Sequence, residues 1–189
     1  MSQLLRHHIE MVTPLTDEEF NYILSHFKAR KLKKHAYLIH EDEYVNYAYF
    51  VVKGCLKAFS SDSKSGKEFI YQFAIEGWWI TDQEAFFRGS RSTINVDCIE
   101  NCELLAITLS DQEKLGKDLW KYEHFMQVKA NWGCIALRKR LQMMIMGSAK
   151  ERYEQFILQY PHLLDRIPKT FIASYLGMSR ETLSRLYSF

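Results

Sequence analysis

The sequence predicts an α+β protein: an antiparallel jelly-roll barrel, then one long helix, then a C-terminal helix-turn-helix domain. Three observations predict it. Between Tyr37 and Thr108, short runs rich in aromatic and β-branched residues alternate with turn-forming breaks. From Ser110 to about Met146 a helical period continues without a proline, and two short helical patterns flank Gly177 near the C-terminus. With 189 residues, 47% apolar and 14% aromatic, the chain has material for a real core.

Taken in order, Leu4 to Met11 and Thr16 to Phe27 read as helices. Thr16 followed by Glu19 is a capping box, and Phe20, Ile23, Leu24 and Phe27 form one apolar face. The basic cluster Lys28 to Lys34 reads as a charged connector between a helix and a strand. Strands are expected at Tyr37 to Ile39, Tyr47 to Val52, Leu56 to Ser60, Glu68 to Ile75, Thr93 to Ile99 and Glu103 to Thr108. Lys53-Gly54, Ser61 to Gly66, Glu76-Gly77 and Glu100-Asn101 separate them, a spacing that suits an antiparallel jelly roll. Asp82 to Phe87 reads as a short helix inserted between strands.

Ser110 with Glu113 is a second capping box and opens the long helix. Phe125, Val128, Trp132 and Ile135 recur at 3-4-3 spacing, with Tyr122, Met126, Leu137, Leu141 and Met144 in adjoining positions. That is more apolar surface than a small barrel covers, so a homodimer is expected with Phe125, Val128, Trp132 and Ile135 in its interface. Gly147-Ser148 reads as a hinge. Ala149 to Tyr160 then forms an amphipathic helix through Tyr153, Phe156, Ile157 and Tyr160, stopped by Pro161.

In the last segment, Phe171, Ile172, Ala173 and Leu176 repeat at helical spacing, Gly177 suits a left-handed helix end, and Ser179 suits the cap of the next helix. Leu183 and Leu186 belong to its core side, while Arg180, Glu181, Ser184 and Arg185 share another face. An arginine can bond the guanine edge in two places and a glutamate can accept from cytosine N4, both near the start of a helix. Thr170 and Ser179 are candidates for backbone phosphate. The competing reading is a solvated face with a weak internal ion pair. Charge favours the first: through Leu119 there are 14 basic and 18 acidic residues, and from Trp120 onward 11 and 5.

Other classes find little support. No apolar stretch reaches the length of a membrane span, and Met1 to Leu15 lacks the pattern of a secretory leader, so a cytoplasmic protein is expected with no membrane partner. Cys55, Cys98, Cys102 and Cys134 are dispersed and fit reduced thiols; on one strand Cys98 and Cys102 would share a face, but no second pair completes a metal site. There is no Gly-rich phosphate loop, nucleophile elbow or HExxH pattern, so no enzyme is expected.

The order of elements is similar to the Crp/Fnr family of bacterial transcription regulators, over nearly the whole chain. The resemblance is carried by Tyr49-Phe50-Val51-Val52-Lys53-Gly54 with Leu56-Lys57, by Gly66-Lys67-Glu68, by Glu76-Gly77-Trp78-Trp79-Ile80, and most specifically by Gly177-Met178-Ser179-Arg180-Glu181-Thr182-Leu183-Ser184-Arg185. It implies a cyclic-nucleotide-binding-like sensor domain over 1–110, a dimerisation helix over 111–147 and a DNA-binding domain over 148–189. It also implies duplex DNA, a second copy of the chain and RNA polymerase as partners, with Arg180, Glu181 and Arg185 facing the major groove.

The family's phosphate-binding cassette has Gly-Glu at the start of the short helix and Arg-Ser after it. Here the first pair is replaced by Thr81-Asp82, followed by Gln83-Glu84, whereas Arg91-Ser92 is retained and followed by Thr93. No Ser or Thr lies between Asp111 and Gly147 to meet an adenine, and no N-terminal cysteine cluster could hold an iron-sulfur centre. The effector site expected from the resemblance is therefore Asp82, Gln83, Arg91, Ser92 and Thr93, in a degenerate barrel with cyclic nucleotide as its candidate ligand. The alternative is a small-molecule-binding module acting through protein contacts rather than DNA.

Overall fold

The capping box at Thr16 forms as its spacing predicts. The Thr16 hydroxyl accepts the Glu19 amide at 3.2 Å, and the Glu19 carboxylate accepts the Thr16 amide at 2.8 Å, so two orphan donors of the helix Asp17–Ser25 (α2) are satisfied. With Ser2–Glu10 (α1) it buries Leu5, Ile9, Phe20 and Ile23 in the core. The structure is a computed structural model that describes residues 2–186. Tyr187 to Phe189, the end of the expected DNA-binding domain, lie outside the described residues.

Eight strands follow: β1 Lys28–Leu32, β2 Tyr37–Ile39, β3 Ala48–Lys53, β4 Leu56–Ser61, β5 Glu68–Ala74, β6 Trp79–Ile80, β7 Asn95–Cys98 and β8 Cys102–Ile107. They make two four-stranded sheets, β1-β8-β3-β6 and β2-β7-β4-β5, the crossed order of a jelly roll. Phe50, Val51, Leu56, Phe73, Val96 and Leu104 are fully buried between them. The inserted helix is Gln83–Arg88 (α3).

Lys28 to Leu32 is a strand rather than a connector. It pairs antiparallel with β8, from Lys28 opposite Ala106 to Leu32 opposite Cys102. Its residues are almost all exposed, so the alternation that betrays a half-buried strand is missing, and lysines on such an edge discourage pairing with another chain. The turn between β3 and β4 depends on Gly54. Its φ of 101° lies in the glycine region, and a Cβ there would stand 2.6 Å from the Asn101 carbonyl oxygen.

The expected long helix is two helices. Leu109–Asp118 (α4) starts two residues earlier than the Ser110 capping box predicts, because Thr108 is the cap and its hydroxyl accepts the Asp111 amide at 3.1 Å. Leu119, in extended conformation, separates it from Trp120–Met146 (α5). No Pro marks this break; it lets Leu115 and Leu119 on one side, and Tyr122 and Phe125 on the other, all meet the barrel core. Cys98 and Cys102 differ from expectation in that they end one strand and begin the next, across the turn at 99–101; none of the four cysteines is in a disulfide.

The chain separates into two compact units. One comprises Met1–Ser60 with Gln72–Ala130, and the other Ser61–Tyr71 with Asn131–Phe189. In the first, the Lys129 ammonium lies 3.7 Å from the centroid of the Trp79 ring, and burial pushes its pKa down to about 7. Beside it burial holds His8, packed on Phe50 and Phe125, down to about 4.

The second unit contains the helices Ala149–Gln159 (α6), Lys169–Tyr175 (α7) and Arg180–Leu186 (α8). A capping box at Ser148 and Glu151 starts α6, with the two cap bonds at 3.3 and 2.7 Å. Phe156, Tyr160, Leu163, Ile172, Leu176 and Leu183 form its core, and the rings of Phe156, Tyr160 and Tyr175 pack tilted or edge-on with centroids 5.3 to 6.1 Å apart.

Candidate nucleic-acid interface and effector cassette

The turn between α7 and α8 has the hydrogen bonds of a Schellman motif. The Gly177 amide donates to Ser174 O at 3.1 Å and the Met178 amide to Ala173 O at 3.0 Å, with Gly177 at φ 62°. Ser179 then caps α8, its hydroxyl accepting the Thr182 amide at 3.1 Å. Two chain-reversal signals legible in the sequence thus act within three residues, and they fix the angle at which α8 leaves α7.

On α8 Leu183 is fully buried, while Arg180, Glu181, Ser184 and Arg185 are all exposed. The structure brings these four to one open face, with Thr170 and Ser179 exposed at the starts of the two helices. Glu181 is held below the usual carboxylate range by its own backbone amide and the Ser179 hydroxyl, with smaller help from Arg180 and Arg185. It is therefore an anionic acceptor at neutral pH, beside guanidinium donors.

Sequence reasoning missed two residues that brace this unit. Ser174, within the apolar pattern of α7, donates its hydroxyl to Glu68 O at 2.6 Å and accepts the Ile70 amide at 3.2 Å. Arg140 of α5 donates to Ile70 O at 3.2 Å and Tyr175 O at 3.1 Å, its guanidinium 3.6 Å from the Tyr175 centroid. Burial lowers its pKa, and it remains a cation. A polar residue in an apolar helical stripe was the available signal for Ser174; nothing local distinguishes Arg140 from its neighbours Arg138 and Lys139.

In the barrel, the cassette residues are bonded to each other. Asp82 is 6% exposed and caps α3, accepting the Ala85 amide at 3.2 Å, while its other oxygen accepts the Thr93 amide at 3.0 Å and the Ser92 hydroxyl at 2.9 Å. Thr81, in the place of the family's glycine, is buried and donates its hydroxyl to Tyr47 O at 3.1 Å. Asp82, Ser92 and Thr93 are thus brought together. Gln83 is exposed. Arg91 is exposed too, with a 2.6 Å bond to Asp42 O and its guanidinium 5.2 Å from the Tyr44 centroid.

A further charged residue lies within the sheet. Lys57 is 2% exposed, its ammonium 3.4 Å from the Asp97 carboxylate on the neighbouring strand and 3.5 Å from the Phe59 centroid. Among the described residues no group of three His, Cys, Asp or Glu side chains could hold a metal ion, and no helix is long and apolar enough to cross a membrane.

On the expected dimer stripe, Phe125 is corrected. It is fully buried in the first unit, against His8 and Tyr122, because the base of α5 packs on the barrel. Val128 is half-buried, and Trp132 and Ile135 are 43% and 46% exposed. The open apolar surface continues through Leu137, Leu141 and Ile145.

Residues 29–118 match the family of the cyclic nucleotide-binding domain. The cAMP-activated global transcriptional regulator CRP of Salmonella typhimurium is 30% identical over 95 residues, covering 50% of this chain and 45% of that protein. The chain spans about half the length of the curated relatives it matches. Among solved structures, FixK2 from Bradyrhizobium japonicum aligns with a TM-score of 0.73 at 20% identity, over 86% of this chain and 83% of that one. A crp/fnr-family chain from Eubacterium rectale aligns with a TM-score of 0.68 at 14% identity, over 92% and 82%. The fold is that of the Crp/Fnr regulators. The resemblance read from the sequence is borne out at the level of the fold.

Proposed function

We propose that the chain is a dimeric, sequence-specific DNA-binding transcription regulator acting with RNA polymerase. The observation that carries this reading is the open face of α8, where Arg180, Glu181, Ser184 and Arg185 are exposed around the buried Leu183 on a helix set by the Gly177 turn and the Ser179 cap. Arg180 and Arg185 supply base and phosphate contacts, Glu181 accepts from a cytosine amine, and Thr170 and Ser179 bond backbone phosphate. Residues 111–147 act as the dimerisation segment between a sensor segment, 1–110, and the DNA-binding segment, 148–189. Trp132 and Ile135, with Val128 at their edge, form the seam that pairs two copies and places two α8 helices on successive half-sites.

The barrel is degenerate as a cyclic-nucleotide gate. Its acid is engaged by Ala85, Ser92 and Thr93, and its arginine by the Asp42 carbonyl, so the groups that would hold a ribose hydroxyl and a cyclic phosphate already have partners. Titration with cyclic AMP and cyclic GMP, followed by calorimetry, should show no saturable heat at millimolar nucleotide. Saturable binding lost in Arg91→Ala would restore the gate.

The DNA reading is tested by selecting duplexes from a random library with the full chain and measuring affinity against salt. Arg180→Ala should cost about 1–3 kcal/mol on the selected duplex and relax its sequence preference. A weak affinity with no salt dependence would instead support a module that acts through protein contacts.

A further inference from the structure

The tip of the β4–β5 hairpin, Ser61–Tyr71, clusters with the helix-turn-helix unit. It is tied there through its backbone. β5 ends its sheet, and the Ile70 amide and the Glu68 and Ile70 carbonyls are met by Ser174 and Arg140 instead of by another strand. A bond to backbone holds the strand in place whatever its side chains do, so the hairpin's position relative to α7 is defined by the fold of this unit.

This docking creates a concavity of about 370 Å³. Lys67 and Glu68 of the hairpin form one wall; Thr170 and Ser174 of α7, with Ser179 and Arg180 at the start of α8, form the other. Two cations and the hydroxyls of Thr170 and Ser179 thus face one opening, with Glu68 as the carboxylate on its rim and Phe171, Ala173 and Met178 completing the lining, while the Ser174 hydroxyl is already donated to Glu68 O. Thr170, Ser179 and Arg180 also belong to the proposed DNA face, so the concavity is continuous with that face.

We infer that the hairpin is a second DNA-contact element, in which Lys67 binds a backbone phosphate of the duplex beside the bases met by α8. The inference rests on the DNA-binding reading. A phosphodiester carries one negative charge and acceptor oxygens only, which suits an ammonium and a guanidinium with hydroxyl donors between them. Lys67 is not part of the helix-turn-helix, and it reaches the face only because Ser174 and Arg140 hold the strand that carries it. A contact of this kind adds affinity on any sequence, whereas Arg180 adds it on the right one.

The test uses the full chain and fluorescence anisotropy with a labelled 30-base-pair duplex of random sequence and with the duplex selected by the wild type, from about 50 to 300 mM KCl. Lys67→Ala should weaken both about equally, by about 3–10-fold, and lower the log–log salt slope by about 0.9. Arg180→Ala should weaken the selected duplex more than the random one. Ser174→Val, which removes the bonds to Glu68 and Ile70, should reproduce the Lys67→Ala loss in part. Unchanged affinity and slope in Lys67→Ala, with the Arg180→Ala loss intact, overturns the hairpin contact and leaves the DNA reading standing. Tighter binding by Lys67→Ala also overturns it, since the hairpin would then screen α8. Failure of the wild type to bind either duplex removes both.

Discussion

Replacing Asp82 by alanine removes three acceptor contacts in one step. Loss of the α3 cap to the Ala85 amide costs about 1 kcal/mol. The bond to the Thr93 amide is charge-assisted, and because Thr93 is itself exposed its amide regains water, which puts the cost at the low end, about 1.5 kcal/mol. Ser92 loses least, since the Ile94 carbonyl lies 2.8 Å from its hydroxyl as an alternative acceptor. The total is about 2–3 kcal/mol, and at about 2–4 °C per kcal/mol for a chain of this size the melting temperature should fall by about 4–12 °C. Asp82→Asn should lose less, because one oxygen survives, but its amide nitrogen must face either the capping amide or the Ser92–Thr93 donors. The assay is thermal unfolding of the ligand-free protein followed by far-ultraviolet circular dichroism. A loss under about 0.5 kcal/mol for Asp82→Ala would refute the reasoning, because the carboxylate's three contacts would then contribute little to the fold.

Gly54→Ala should destabilise the first unit by about 1–3 kcal/mol, from its φ of 101° and the Asn101 carbonyl 2.6 Å from the new methyl, read by urea unfolding; an unchanged midpoint would show a turn that relaxes freely. Lys129 has a folded pKa of about 7, below its unfolded value, so the unfolded chain binds more protons between pH 7 and about 10.4 and its burial cost is relieved as pH rises through that window. Lys129→Met should therefore raise the melting temperature most below pH 7 and progressively less above it, and a pH-independent difference would exclude an uncompensated ammonium. His8 has the same downward shift around a lower value, so native stability should fall as pH drops from about 6.5 toward 4, and His8→Phe should flatten that limb of the melting profile. Ile135→Glu should convert a dimer to a monomer in sedimentation velocity without lowering the melting temperature of the barrel; a dimer that survives would place the seam elsewhere on α5.

The fold was legible where local chemistry and burial agree. Thr16 with Glu19, Gly177 and Ser179 each carry their own hydrogen bonds, so a reading by spacing finds them. β1 was not legible, because a strand exposed on nearly every residue has no period, and its pairing with β8 is set about seventy residues away. The break at Leu119 has no local breaker; it comes from the demand that Leu115, Tyr122 and Phe125 all reach one core. The same tertiary demand takes Phe125 off the dimer stripe, a position its spacing alone could not distinguish from Trp132. In the cassette, the family resemblance named five residues but could not show that Asp82 bonds Ser92 and Thr93, ten and eleven positions ahead, while Gln83 and Arg91 stay outside that group. Ser174 and Arg140 act on backbone atoms of a distant hairpin, and backbone leaves no trace in side-chain identity.

The closed group around Asp82 behaves as a tethered competitor. A carboxylate fixed on the protein meets the Ser92 hydroxyl and the Thr93 amide at an effective concentration that no free ligand has to match in an empty site, on the order of millimolar or above for groups joined by a short segment. Any anion entering the barrel for those donors must first expel Asp82, and the expelled carboxylate then faces the incoming charge at close range. An acid seeking those donors would be opposed twice, by displacement and by charge, whereas a neutral guest seeking them would meet only the first.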